Sequence, residues 1–227
     1  AHEIRNPLTA LRGNLQLLER RMRRGTREDI DAEIKRIHGV VDQVDRIGEL
    51  VTRMLDVSRA DLGKLDIDVS ETDASLLVQA VVNEVTGTDP MRDIRVTAPE
   101  QLSVSWDETR IQQVMVNLLT NAIRYAPDGP IEVDLRQPSE DTVTVTVRDY
   151  GQGVPPRIRQ RLFKQYYRFD DGQDDQEVAL DGSRGLGIGL YISARIVREH
   201  GGRLDVADAD GGGAVFTVTL PLRVGSS

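Results

Sequence analysis

Apolar residues recur along this chain at two periods, and the change from one to the other comes near residue 65. Ile4, Leu8, Leu11, Leu15, Leu18 and Met22 are spaced by alternating fours and threes, which lays one apolar seam along a helix. Gly25 ends that helix. After a turn at Gly25, Thr26, Arg27 and Glu28 the seam resumes through Ile30, Ile34, Ile37, Val41, Val44, Ile47, Val51 and Met54 or Leu55, and runs to about Ala60. The second helix is then about 31 residues long, roughly 46 Å at the usual rise, against about 23 visible residues in the first. Two antiparallel helices cannot bury a continuous seam by themselves, so two copies are expected to pair as a homodimeric four-helix bundle. The alternative is a bundle made with the rest of the same chain, which carries a complete core pattern of its own.

Beyond Leu65 the period falls to two. Leu65, Ile67 and Val69 alternate with Asp66 and Asp68, and Val143, Val145 and Val147 alternate with threonines, which predicts strands. Further strands are predicted near residues 94–98, 102–106, 131–136, 203–208 and 214–221, and helices over 73–86, 107–125, 155–167 and 186–200. Strands in hairpin-like succession with helices gathered apart predict a mixed sheet covered on one face, not a doubly wound parallel sheet. The fold class expected is therefore multidomain, α followed by α+β. A helical hairpin domain over residues 1–62 precedes an α/β sandwich domain over 63–224, and the short linker Asp61 to Lys64 has Gly63 as its hinge. Between Asp170 and Ser183, Asp170, Asp171, Asp174, Asp175, Glu177 and Asp181 accompany Gly172 and Gly182, which predicts a mobile loop.

Composition narrows the function without naming it. The chain has 227 residues, 39% of them apolar, enough to form a core. Its 37 acidic and 29 basic residues leave a net charge of -8 spread over both halves, so no nucleic-acid surface is advertised. The absence of cysteine excludes disulfides and thiolate metal sites, agrees with a reducing cytoplasm, and leaves oxygen and nitrogen as ligands. No apolar run of about 18 residues and no signal peptide is present. The sequence opens without Met inside a helical pattern, so a longer parent protein is expected.

Candidate chemistry gathers in four segments. In Ala1-His2-Glu3-Ile4-Arg5-Asn6-Pro7-Leu8, His2 and Asn6 stand one turn apart and off the Ile4 and Leu8 seam, which exposes the imidazole beside Glu3. A neighbouring carboxylate can take the proton of one ring nitrogen while the other attacks. In Asn117-Leu118-Leu119-Thr120-Asn121-Ala122-Ile123-Arg124-Tyr125, Asn117 and Asn121 share a helical face, with Val114, Leu118 and Ile123 turned inward. A hard cation such as Mg²⁺ keeps most of its water and needs only one or two protein oxygens, for which Asn121 is the candidate. Arg124 can hold phosphate, and Tyr125 can lie against a nucleoside. Asp149-Tyr150-Gly151-Gln152-Gly153 ends a strand with a carboxylate able to accept an adenine amino group, and Gly151 and Gly153 permit a flat ligand to approach closely. Gly185-Leu186-Gly187-Ile188-Gly189-Leu190 opens the last helix, where free N–H groups and the helix dipole favour phosphate. His38, one step off the seam, and His200, at a helix end before Gly201 and Gly202, read as packing and terminus residues.

In this order the four segments resemble the H, N, G1 and G2 boxes of bacterial two-component sensor histidine kinases, and the resemblance covers essentially the whole chain. It implies a dimerisation and phosphoacceptor domain followed by an ATP-binding domain of the gyrase, chaperone, kinase and MutL type. ATP and Mg²⁺ are the implied cofactors, with His2 phosphorylated, Glu3 as its base and Asn121 on the metal. The phosphoryl group is then expected to pass to an aspartate on a response-regulator receiver domain. Asn6 sits where such families place the residue that orients a hydrolytic water, which implies phosphatase activity on the regulator. Phe163, Tyr166, Tyr167 and Arg168 resemble the F box that anchors the ATP lid, with Arg168 directed at the γ-phosphate. Related ATPases carry a water-activating Glu one turn before the metal Asn; Asn117 stands there in this chain and is a poor base. That substitution separates a kinase from a water-directed ATPase. A dimeric scaffold that binds nucleotide without transferring phosphate is the other alternative, opposed by intact His2, Glu3, Asn121, Asp149 and glycines. The region is expected to be cytoplasmic in a parent protein of the cell inner membrane, which it would reach only through upstream segments.

Overall fold

A computed structural model describes residues 65–126, 128–159, 161–164 and 188–225, together with the helical positions Ile37, Gly39, Val41, Val44, Gly48, Val51, Thr52 and Leu55. His2, Glu3, Asn6, His38, Arg168, the loop from Asp170 to Ser183, and Gly185, Leu186 and Gly187 lie outside the described residues. In the second predicted helix, the Thr52 hydroxyl donates to the Gly48 carbonyl at 3.0 Å, a spacing that helical geometry allows. Its seam positions Ile37, Val41, Val44, Val51 and Leu55 are between 40% and 53% exposed in the single chain.

The remainder runs β1 (Ser70–Asp73), α1 (Ala74–Thr88), β2 (Ile94–Thr97), β3 (Ser103–Trp106), α2 (Glu108–Tyr125), β4 (Ile131–Ser139) and β5 (Thr142–Arg148). A short 3₁₀ turn (Pro156–Ile158), α3 (Gly189–Glu199), β6 (Arg203–Asp208) and β7 (Ala214–Pro221) follow. Five strands form one sheet in the order β2-β4-β5-β7-β6. β2 is parallel to β4 and the other pairs are antiparallel, while β1 and β3 form a separate antiparallel pair. The sheet is mixed, as the pattern predicts. Val143, Val145 and Val147 of β5 and Ala214, Phe216, Val218 and Leu220 of β7 are buried, whereas Thr144, Thr146, Thr217 and Thr219 between them are only partly covered. Alternation therefore buries one face, beneath helices. α2 packs between α1 and α3.

Caps fix where two of the helices begin. Asp73 Oδ1 accepts from the N–H groups of Ser75 and Leu76, and Asp107 Oδ1 from that of Arg110. Each such cap stabilises its helix by about 1 kcal/mol.

Two expectations are corrected. The alternation of Leu65, Ile67 and Val69 predicts a strand, but the strand begins only at Ser70. Leu65 is buried in the core, and the Asp68 N–H donates to Asp107 Oδ2 at 2.8 Å, so a side chain satisfies it where a ladder partner would. The helix expected over 155–167 is a 3₁₀ turn at Pro156–Ile158 followed by turns to residue 164. Pro155 is extended, with ψ 135°, and Pro156 cannot donate. Ile158 and Leu162 are both buried four residues apart, which imitates helical spacing.

Candidate functional site

The site is built along α2. Ile111, Val114, Met115, Leu118, Leu119 and Ala122 form its buried stripe, which leaves Asn117 and Asn121 half-buried on the adjoining flank. Two glycine turns meet this helix. A Cβ on Gly189 would run into the Asn117 carboxamide, and one on Gly151 into the Tyr125 carbonyl oxygen. Against the Tyr125 backbone only glycine allows the approach, whereas at Gly189 the Asn117 side chain would have to give way. Asn117 and Tyr125 are roughly 12 Å apart along the axis, so the Asp149 turn and the start of α3 flank the same stretch of helix.

Asp149 is held from behind. It is 5% exposed, and its Oδ1 accepts from the N–H groups of Gly151 at 2.9 Å and Ala214 at 3.2 Å. Its own N–H donates to the Ala214 carbonyl at 2.9 Å. Oδ2 takes part in none of these bonds and is the oxygen left to accept from a ligand. The turn that supplies Ala214 can pass this close because Gly213 has φ +88° and no Cβ to strike the Asp149 carbonyl. Beyond Asp149, the Tyr150 hydroxyl donates to Glu132 at 2.9 Å and its ring lies 4.4 Å from the Arg148 guanidinium. The bond to Glu132 holds the Tyr150 hydroxyl above its ordinary pKa.

α3 starts without a side-chain cap from Ile188, unlike α1 and α2, whose caps are Asp73 and Asp107. Two hydrogen bonds clasp it antiparallel to α2. Asn117 Nδ2 donates to Ser193 Oγ at 3.0 Å, and eleven residues after Gly189 the His200 ring meets the cap of α2. There the Asp107 N–H donates to His200 Nε2 at 3.0 Å, which requires Nε2 to be unprotonated and leaves Nδ1–H to donate to the Ile196 carbonyl at 2.8 Å. Burial lowers the pKa of His200 against the opposing pull of the Ile196 carbonyl and the Asp107 and Glu199 carboxylates.

Asn117, Asn121, Arg124, Tyr125, Asp149, Gly151 and Gly189 are thus arranged along one helix and the two turns against it. Asn121 has no side-chain partner among the described residues. Arg124 and Tyr125 are exposed, with the guanidinium 5.5 Å from the ring. Gly153, at φ +73°, lies against the Gly213 carbonyl instead of α2. Ile188 is 1% exposed and Leu190 packs on the core, so both side chains are structural and only their backbone can face a ligand. His200 is fully buried packing at the end of α3, as its position implies. Periodicity overlooks Ser193, Gly213 and Ala214 because a serine within an apolar stripe and a glycine turn are both ordinary in sequence.

These residues fit a nucleotide with a hard cation. Among the described residues no three His, Cys, Asp or Glu gather to enclose an ion, so a cation would share a carboxamide oxygen such as that of Asn121 with phosphate. No described helix is long and apolar enough to cross a membrane.

The sequence model for histidine kinase-, DNA gyrase B- and HSP90-like ATPases matches residues 106–224, and that for the His Kinase A phospho-acceptor domain matches residues 1–63. The sensor histidine kinase MtrB of Mycolicibacterium paratuberculosis is 32% identical over 226 residues, covering 98% of this chain and 38% of MtrB. The chain therefore spans well under half the length of that relative. Among solved structures, the Acinetobacter baumannii histidine kinase AdeS has the same fold, with a TM-score of 0.67 at 22% identity over 98% of both chains. Histidine kinase ThkA, solved in complex with the response regulator protein TrrA, has a TM-score of 0.65 at 24% identity over 98% of this chain and 59% of its own.

Proposed function

Because this chain belongs to the histidine kinase-, DNA gyrase B- and HSP90-like ATPase family and carries a His Kinase A phospho-acceptor domain ahead of it, we propose that it phosphorylates itself on His2. ATP is the donor that the ATPase domain supplies. Asp149 accepts the adenine amino group through Oδ2, Gly151 and Gly153 let the base lie close, and Tyr125 covers the nucleoside. Arg124, Arg168 and the backbone from Gly185 through Leu186, Gly187, Ile188 and Gly189 to Leu190 hold the phosphates. Asn121 holds Mg²⁺, which when bound offsets charge on the phosphate oxygens.

In the transfer, one ring nitrogen of His2 attacks the γ-phosphorus, the bond to the bridging oxygen breaks, and ADP leaves. Glu3 receives the proton from the other ring nitrogen. The observation that carries this reading is Asn117. It occupies the place one turn before Asn121, tied to Ser193 at 3.0 Å, and a carboxamide there cannot deprotonate water. Histidine is then the better nucleophile.

The working unit is a homodimer, with residues 1–62 as the dimerisation and acceptor domain and 63–224 as the ATP-binding domain. The phosphoryl group passes from His2 to an aspartate of a response-regulator receiver domain, a partner class supported by the ThkA and TrrA complex. Asn6 orients water when the same surface dephosphorylates the regulator. The region faces the cytoplasm, and its parent protein is held in the inner membrane by upstream segments.

Incubation with γ-labelled ATP and Mg²⁺ tests the reading directly. Acid-labile label on His2 supports it. Bound nucleotide without label would make the chain a scaffold, and labelled free phosphate without labelled protein would make it a water-directed ATPase.

A further inference from the structure

The turn between β6 and β7 has to deliver a donor to Asp149, yet it ends in three glycines. Gly211, Gly212 and Gly213 stand at φ +87°, +105° and +88°, and such a run has little conformational preference of its own. Contacts from outside must set where it lies. Arg148 Nη2 donates to the Asp210 carbonyl at 2.6 Å, within the turn. Asp208, the last residue of β6, is paired with Ala214 in the β6–β7 ladder, and Ala214 gives its N–H to Asp149 Oδ1 at 3.2 Å. Arg159 reaches this end of the ladder from the segment that follows Asp149. Its Nε–H donates to the Val154 carbonyl at 3.0 Å, and its Nη2 pairs with Asp208 Oδ2. Val154 comes directly after Gly153, which lies against the Gly213 carbonyl. One planar guanidinium therefore joins the two backbone segments that enclose the Asp149 turn.

We propose, on the reading of Asp149 above, that Arg159 is a positioning residue for the base. By holding Asp208 it keeps the Ala214 N–H on Asp149 Oδ1, and so keeps Oδ2 directed at the adenine amino group. Part of the preference for adenine then resides in a side chain that acts through the turn. The Asp208 side chain is 62% exposed, and an ion pair so open to water adds little to stability. A small displacement of the Asp149 carboxylate, by contrast, weakens a charge-assisted hydrogen bond without unfolding anything. Were Arg159 only a solvated surface charge, its removal would leave the contact with the base unchanged.

The test uses the full chain in Mg²⁺ and compares calorimetric affinities for ATP and for purine riboside triphosphate, which lacks the amino group. Their ratio is the gain due to that group. In Arg159→Ala the gain is expected to fall about fivefold, a part of the roughly tenfold to hundredfold that a charge-assisted hydrogen bond supplies, while affinity for purine riboside triphosphate stays within about twofold of wild type. Asp208→Ala is expected to lose as much, and the double variant no more than either, because both changes remove the same link. Asp208→Ala carries the comparison if Arg159→Ala does not hold its circular dichroism spectrum. An unchanged gain in a folded variant overturns the proposal. Additive losses in the double variant also overturn it, as does an equal fall in both affinities, which marks general loosening. A wild-type chain with no gain from the amino group overturns the Asp149 reading itself, and the proposal with it.

Discussion

Asp149 and His200 show how single atoms are committed before any ligand arrives. In Asp149→Asn the side-chain oxygen can still accept from Gly151 and Ala214, so the turn keeps its shape, but the outward atom becomes an N–H donor facing another donor. ATP affinity is expected to fall between about tenfold and a hundredfold with unfolding unchanged, and calorimetric titration beside urea denaturation reads both. His200 predicts a pH dependence whose sign follows from its lowered pKa. Above about pH 6.5 the ring is neutral folded and unfolded, so its contribution is fully present. As pH falls below that value the unfolded chain takes up the proton first, and stability is lost until the folded ring also titrates. The wild-type unfolding midpoint is expected to drop between pH 7 and 5.5 more steeply than that of His200→Gln; parallel curves would reject the role. Asp73 acts in a separate window. Burial pulls its pKa up, but the N–H groups of Leu102, Ser75 and Leu76 outweigh this and hold it below 3.8, so its contribution is lost only as pH falls through that region.

At the scale of elements, the turn between β6 and β7 offers a controlled comparison. Gly211 and Gly213 both have positive φ, yet a Cβ on Gly211 meets open space while one on Gly213 meets the Asp149 backbone. Gly211→Ala is expected to cost about 1 kcal/mol from backbone strain alone. Gly213→Ala should cost more and weaken ATP binding as well, and equal effects on urea midpoint and affinity would show that the contact is unimportant. The second helix gives another test. Val44 is 50% exposed in the single chain, and in the proposed bundle Val44→Asp buries an unpaired charge at a cost of several kcal/mol. Sedimentation is expected to show a wild-type dimer and a mutant monomer. Much of the sheet and of the helix beside it was legible beforehand, because α2, β5 and β7 each repeat one period for several turns or pairs. The exceptions arose where something local overrode the period: a proline pair before Ile158, and an aspartate side chain replacing a ladder partner at Asp68. Motif residues such as Asn117, Asp149 and Gly189 were legible because their chemistry is written in short segments. Ser193 and Ala214 were not, since their partners lie 76 and 65 residues away, and the packing role of His200 was legible but its bond to Asp107, 93 residues away, was not.

For the molecule as a whole, the proposed reading divides acceptor from nucleotide site. His2→Gln is therefore expected to abolish acid-labile phosphorylation while ATP affinity stays within about twofold, and persistent labelling would place the acceptor elsewhere. Asn6→Ala is expected to keep phosphorylation and transfer but slow dephosphorylation of the regulator by about a hundredfold, as loss of an oriented water would. An equal fall in both rates would point to a disturbed helix before Pro7. The sheet adds a constraint on timing. β7 comes late in the chain yet lies inside the sheet between β5 and β6, and its first residue, Ala214, gives the second N–H to Asp149. During synthesis at about 5–20 residues per second, His2 is made roughly 10 to 40 seconds before Ala214. Throughout that interval the proposed acceptor has been made while the Asp149 turn lacks one of its walls. On the proposed reading, a ribosome stalled before β7 would leave a fragment that carries the acceptor but lacks the N–H of Ala214 that sets the Asp149 carboxylate, and so could not charge that acceptor from its own ATP.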